Sequence, residues 1–213
     1  MSETKAFRLK FEKTGSMKYI SHLDLNRLFS RSLARARIEA AHSEGFNPHP
    51  KISFASALSL GVESLCEFAD AKIIGAETGE TIMKKAKGAF PAGLEIIEAY
   101  APENDFANID RTRFHIFLSP EGFEISEIEK LLLGDVCVEK KPGVLISLKD
   151  FVCEMAISKK SPEYLRIDTV LKTSRQMFLN PENIIKAIKS QYAAEWHFIK
   201  KIETYDKNGD IFR

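Results

Sequence analysis

The amino-acid sequence predicts an α+β protein. Three observations carry this reading. The chain has 213 residues, a length that suits two domains better than one. The order strand, helix, strands, helix, strand can be read in its first half and again, with extra strands, in its second. Between the halves, residues 101–110 are rich in Pro, Asn and Asp, as a linker is. That order is the split βαβ or ferredoxin-like pattern, two helices packed on one face of an antiparallel sheet. Two tandem ferredoxin-like modules are therefore expected, over residues 1–104 and 111–213.

Each element has a local reason. Residues 6–12 alternate, with Phe7, Leu9 and Phe11 on one face, as a half-buried strand does. Thr14-Gly15-Ser16 then turns the chain. Ser21 followed by Asp24 reads as the cap of a helix over 21–37, with Leu25, Leu28, Phe29, Leu33 and Ala36 as its apolar stripe. Residues 38–42 suit a short strand, 45–50 are irregular because prolines flank His49, and 51–58 and 67–74 read as paired strands. A second helix is expected over 77–90, stopped by Pro91-Ala92-Gly93, and a closing strand over 94–100. The second half reads as a strand at 113–118, a helix at 125–133, strands at 136–139, 144–148, 152–158 and 164–171, a helix at 181–191 and a strand at 196–204. Asn180 suits the cap and Pro181 the first turn of the later helix.

Composition narrows the function classes. Apolar residues make up 44% and charged residues 29%, so neither half has a disordered composition. The polar amino terminus and the lack of any apolar run near the roughly 20 residues needed to cross a bilayer disfavour secretion and membrane spanning. Cys66, Cys137 and Cys153 are odd in number and far apart, which argues against a disulfide framework, a structural zinc site or a radical SAM cluster in this chain. A reducing cytoplasm fits that usage. Net charge is +1, but residues 1–60 hold ten Lys/Arg against five Asp/Glu, and residues 61–110 hold four against ten. The basic excess falls on the first helix and its surroundings, where a polyanion would meet it.

Two constellations stand out. Arg27, Arg31 and Arg35 recur at i, i+4 and i+8 opposite the apolar stripe, with Arg37 just beyond. Like charges at that spacing cost a helix a few tenths of a kcal/mol per pair, whereas a row of guanidinium forks matches phosphate oxygens along a nucleic-acid backbone. A solvated face with carboxylate partners elsewhere is the other reading. The second constellation joins Ser21-His22-Leu23-Asp24 to the stiff loop Gly45-Phe46-Asn47-Pro48-His49-Pro50-Lys51. In a split βαβ unit both segments can return to one end of the sheet, so His22, Asp24, Asn47, His49 and Lys51 are expected to line one cleft. Histidine there serves acid–base work, phosphate binding or plain packing. Metal binding is not expected, since neither histidine has ligand-type spacing with another donor.

The runs Arg8-Leu9-Lys10-Phe11-Glu12-Lys13-Thr14-Gly15, Tyr19-Ile20-Ser21-His22-Leu23-Asp24-Leu25 and Gly45-Phe46-Asn47-Pro48-His49-Pro50-Lys51-Ile52-Ser53-Phe54 together resemble the radical-SAM-linked, or radical-SAM-associated, proteins. These form a family of the DUF2344 type, a domain of unknown function. Leu58-Ser59-Leu60-Gly61-Val62-Glu63-Ser64 and Glu67 continue the resemblance, which covers residues 6–75. It implies partnership with a radical SAM protein that itself carries the iron–sulfur cluster and S-adenosylmethionine, with no cofactor in this chain. It supplies no catalytic residues.

The expected function is an accessory that binds RNA, tRNA or rRNA, and presents it to a radical SAM enzyme. A catalytic domain using His22, Asp24 and His49 is one alternative, and a protein-only interaction module is another.

Overall fold

A computed structural model describes residues 3–120, 122–161 and 164–213. The chain forms two compact units, Met1–Phe106 together with Arg213, and Ala107–Phe212. The α+β class is borne out.

Unit 1 contains β1 (Thr4–Lys13), α1 (His22–Arg35), β2 (Ile52–Phe54), β3 (Glu63–Ile74), α2 (Gly79–Ala86) and β4 (Leu94–Tyr100). Its strands lie in the order β4-β1-β3-β2, every neighbouring pair antiparallel. Phe7, Leu9 and Phe11 of β1 share one buried cluster with Leu25, Phe29 and Leu33 of α1 and with Ile82 and Ala86 of α2. Both helices therefore cover the same face of the sheet, as their single apolar stripes require. Phe29 is the centre of that core, 5.1 Å from Phe11, 5.4 Å from Phe54 and 5.1 Å from Phe90 between ring centroids.

Several boundaries differ from expectation. Residues 38–42 form only two isolated bridges, Ala40 to Ile73 and His42 to Pro50. The strand expected over 51–58 is just β2, and β3 starts at Glu63 rather than at residue 67. The helix expected over 77–90 is shorter because Thr78 caps it in a reciprocal box with Thr81 and the chain leaves the helix at Lys87, before Gly88 at φ 76°. Gly93 has a different duty. At φ 81° its α-carbon passes so close to β1 that a β-carbon there would lie 2.4 Å from the Thr14 carbonyl oxygen.

The opposite face of β1 holds the main surprise. Alternation marks Arg8 as a solvent residue, yet it is 0% exposed. Its Nε and Nη2 donate to Oδ1 and Oδ2 of Asp70 at 2.7 and 2.8 Å, and its Nη1 donates to the backbone oxygen of Arg213 at 2.9 Å. The guanidinium lies 4.4 Å from the Phe106 ring centroid. A buried arginine is tolerated on these terms, with a bidentate carboxylate and its third nitrogen also paired.

Unit 2 contains β5 (Ile109–Pro120), α3 (Ile125–Leu133), β6 (Cys137–Lys141), β7 (Val144–Ser147), β8 (Val152–Lys159), β9 (Leu165–Lys172), α4 (Glu182–Lys189) and β10 (Ala194–Asp206). The order is β10-β5-β9-β8, again antiparallel throughout, and β6 and β7 pair only with each other as a hairpin. The predicted linker is partly structured, with a short 3-10 turn at Phe106–Asn108 running straight into β5. Asn180 caps α4 as expected, its Oδ1 accepting from the Glu182 amide at 3.1 Å.

One face of this sheet carries Ile116, Leu118, Leu165 and Ile167, all 0% exposed, and α3 and α4 bury Ile128, Leu132, Ile184 and Ile188. The other face carries a polar cluster. Arg113 donates to Asp168 at 3.0 Å, Glu154 at 2.9 Å and the Tyr205 hydroxyl at 3.2 Å, while His115 Nε2 lies 3.2 Å from Asp168.

Two predictions follow from these contacts. Asp70→Ala leaves the Arg8 charge buried without its carboxylate and should cost about 3 kcal/mol in chemical denaturation, with Arg8→Met/Asp70→Leu recovering much of the loss. An Asp70→Ala protein as stable as the wild type would refute the claim that the pair holds β1 to β3. Burial, opposed by Asp168, holds the His115 imidazole below its usual value of 6.5. The native state then binds fewer protons than the unfolded chain between that lowered value and 6.5, so stability should fall as pH drops through this window. His115→Asn should flatten that part of a stability-versus-pH curve.

Candidate functional site

Helix α1 is anchored at its start by Ser21, whose Oγ accepts from the Asp24 amide at 3.1 Å and donates to the Asp24 carboxylate at 2.7 Å. With Leu25, Phe29 and Leu33 fixed in the core, helical geometry turns Arg27, Arg31 and Arg35 to solvent, about 6 Å apart along the axis. Arg27 reaches Asp24 at 3.4 Å. Among the described residues no carboxylate pairs with Arg31, Arg35 or Arg37, all of which are exposed.

The end of α1 is unusual. Ile38 N donates to Leu33 O at 3.0 Å and Arg37 N to Ala34 O at 3.0 Å, the paired bonds of a Schellman stop. That motif needs a left-handed residue after the cap, a position usually given to glycine, and here Arg37 takes it at φ 56°. It is the one non-glycine with positive φ among the described residues. A side chain in that region costs roughly 1–2 kcal/mol, and Ile38 and Leu33, both buried in the core, hold it there.

Beyond Arg37 the chain runs alongside β3 and folds back on itself. Ile74 N donates to Glu39 O at 2.8 Å, Ala41 N to Lys72 O at 2.7 Å, and Lys51 N to Ala41 O at 2.7 Å. Ser43 and His49 close the fold-back twice, Ser43 N to His49 O at 2.7 Å and His49 N to Ser43 Oγ at 3.0 Å. Residues 44–49 form an exposed tip, and Phe46 is 112% exposed at its end. Between α1 and this segment lies a groove of about 540 Å³, within the range of small-molecule sites, roughly 300–1,000 Å³. Leu33, Ala34, Ile38, Ala40, Pro50 and Ile52 make its apolar wall, and Ser30, Arg31, Arg37, Glu39 and His42 supply polar groups.

The expected residues are thus divided between places. Arg31 and Arg37 meet in the groove, while Arg27 and Arg35 continue the row outside it. His22 packs edge-on against Phe54 at 5.5 Å beside the start of α1, and Asp24 is occupied by the cap. Asn47 and His49 lie on the exposed tip, and Lys51 is exposed with its backbone in the fold-back. Because the groove borders the carboxyl-terminal half of α1, the His22 and Asp24 side of the expected cleft does not line it.

Sequence reasoning also missed His42 in the groove and Lys13 in the core. Lys13 continues the inward phase of Phe7, Leu9 and Phe11, which was the readable signal. It is 2% exposed, donates to the Ile20 carbonyl at 3.2 Å, and burial pushes its pKa down against the opposing charge of Glu67. Among the described residues no group of three or more His, Cys, Asp or Glu side chains is arranged to hold a metal ion. No helix is long and apolar enough to cross a membrane.

Compared with models of protein families, residues 6–198 match the family described as "Uncharacterized protein conserved in bacteria (DUF2344)". A comparison with curated proteins found no match. Among solved structures, the chain is similar to one described as "Crystal Structure of a Cbf5-Nop10-Gar1 Complex", with TM-score 0.53 at 7% identity over 93% of this chain and 48% of that one. This chain therefore spans about half of that one, and the likeness is one of fold. Weaker likenesses are to an unknown protein from Galdieria sulphuraria, TM-score 0.28 at 12% identity over 93% and 99% of the two chains. A putative glycine cleavage system transcriptional repressor gives TM-score 0.24 at 8% identity over 94% and 99%. Neither of these two bears on the site.

The geometry of Arg37 separates stability from function. Arg37→Gly should raise the stability of unit 1 by about 1 kcal/mol by relieving the left-handed backbone, while removing a guanidinium from the groove. Denaturation midpoints of the two proteins test this. A less stable glycine variant would mean that the arginine side chain itself holds the turn.

Proposed function

We propose, for a chain that belongs to the DUF2344 family of uncharacterized bacterial proteins, an RNA-binding accessory role in which it presents tRNA or rRNA to a radical SAM enzyme. The observation that carries the RNA half is the arginine row. Arg31, Arg35 and Arg37 are exposed and unpaired among the described residues, the first two on a helix whose other face is locked into the core and the third in the turn that ends it. A structural surface arginine commonly finds a carboxylate. These present planar forks to solvent on a rigid support, which is what phosphate contacts ask for.

The partnership half rests on the resemblance of the motifs within residues 6–75 to radical-SAM-linked proteins. In this reading the cluster and S-adenosylmethionine belong to the partner, the setting is the cytoplasm, and this chain contributes positioning. Both units are read as ferredoxin-like modules. The orders β4-β1-β3-β2 and β10-β5-β9-β8 support that, being one pattern with the β6–β7 hairpin inserted after α3 in the second. Purification from the native cell with protein and crosslinked RNA both sequenced tests the whole proposal. Recovery of a radical SAM protein without RNA would leave a protein-only partnership.

A narrower experiment addresses the row itself. Affinity for cellular RNA should fall with salt, and Arg27→Gln/Arg31→Gln/Arg35→Gln should flatten that dependence by about 0.7 per lost contact on a log–log plot for single strands. Each exposed substitution should shift stability by less than about 0.5 kcal/mol. An unchanged slope in a folded triple variant would remove the row from the interface.

A further inference from the structure

Unit 2 carries a connected row of rings on the sheet face away from its buried core. Phe117 of β5 is the cross-strand partner of Phe198 on β10 and of Arg166 on β9, so all three side chains leave the sheet on one side. Their neighbours Ile116, Ile167 and Ile199 point the other way and are buried. His115 lies 6.3 Å from Phe117, Phe198 6.1 Å and Tyr164 6.4 Å, and Tyr164 reaches Trp196 at 5.8 Å. None of these rings is buried, and Trp196 is 43% exposed. Rings this large normally complete a core, and here they pack on one another half-buried, with Trp196 exposed at the end of the row.

The charge around the row suits an anion. On that face Asp168 and Glu154 are taken by Arg113 and His115, and Glu203, the cross-strand partner of Arg113, accepts from the Thr204 amide at 3.1 Å. Arg166, beside Phe117, has its Nε shielded from solvent and without a hydrogen-bond partner among the described residues. Arg166 is only half-buried, so the rest of its guanidinium beside these half-buried rings can stack on a base or bond a phosphate.

We propose that this face is a stacking platform for the unpaired bases of a single-stranded RNA, with Phe117, Tyr164 and Trp196 receiving bases and Arg166 the adjoining backbone. The inference rests on the RNA reading above and deepens it by naming the part of the RNA engaged. A duplex hides the π faces of its bases, whereas a loop or a free end offers them. Stacking of this kind tolerates sequence, since every base has such a face.

Trp196 is the single tryptophan of the chain, so its emission reports on the platform directly. The full chain is titrated with a short oligouridine, with a short oligoadenosine and with a duplex of equal length. Both single strands should quench Trp196 at saturation, and the duplex should quench it little. Phe117→Leu and Tyr164→Leu should each weaken single-strand binding by about tenfold while leaving the salt slope unchanged. The triple arginine variant of α1 should flatten the slope and keep the full quench at saturation.

The wild-type emission change needs no variant, so it stands even if a ring substitution damages the fold. RNA binding that leaves Trp196 emission unmoved would overturn the platform and spare the arginine reading. Quenching with undiminished affinity in the arginine variant would remove the row and keep the platform. Absence of binding by any of the RNAs would remove both.

Discussion

Arg8 is the residue on which the geometry of unit 1 turns. A charge that is fully enclosed must be paired, and Asp70 across the ladder supplies two carboxylate oxygens in register. Side chains of a strand alternate, so a slip of β1 by one residue would exchange its two faces. It would then send Arg8 toward the helices and Phe7, Leu9 and Phe11 away from them. Fixing the partner of Arg8 therefore fixes which face receives α1, and through α1 the direction of its arginines. The chemistry proposed on one side of the sheet depends on an ion pair on the other.

Helix α1 consequently has no side to spare. Its inward positions are held by Phe29 and its aromatic neighbours, its start by Ser21 and its end by the turn at Arg37. Rotation to suit a ligand would break the core, so a ligand must fit the arginines as they stand. Binding sites gain from such preorganisation because little ordering is left to be done on encounter.

Much of this architecture was legible in the residues. The spacing of Leu25, Phe29 and Leu33 after Ser21 marks α1, and Asn180-Pro181 marks the start of α4, because caps and apolar stripes are local signals. Strand limits were harder. Residues 38–42 and 55–58 have strand-like composition, but only the ladder decides which amides find partners, and β3 meets them at the Ala40–Ile73 bridge, through the bonds of Glu39 and Ala41, and through Ala55 N to Phe68 O. Alternation alone would turn Arg8 to solvent, and nothing in the sequence near it announces that Asp70, Phe106 and Arg213 enclose it. The arginine row was visible from its i, i+4 spacing. The groove was not, because it joins α1 to a fold-back whose bonds cross between residues distant in sequence.

The double tie between Ser43 and His49 has a thermodynamic consequence for the tip it closes. Ordering a free loop costs about 1–2 kcal/mol of backbone entropy per residue, a charge normally levied at the moment of association. In residues 43–49 that ordering is accomplished during folding, by the two bonds and by the prolines on either side of His49. Phe46 thus stands in water on a loop whose base is closed before any partner arrives, so less of the chain is left to order on encounter.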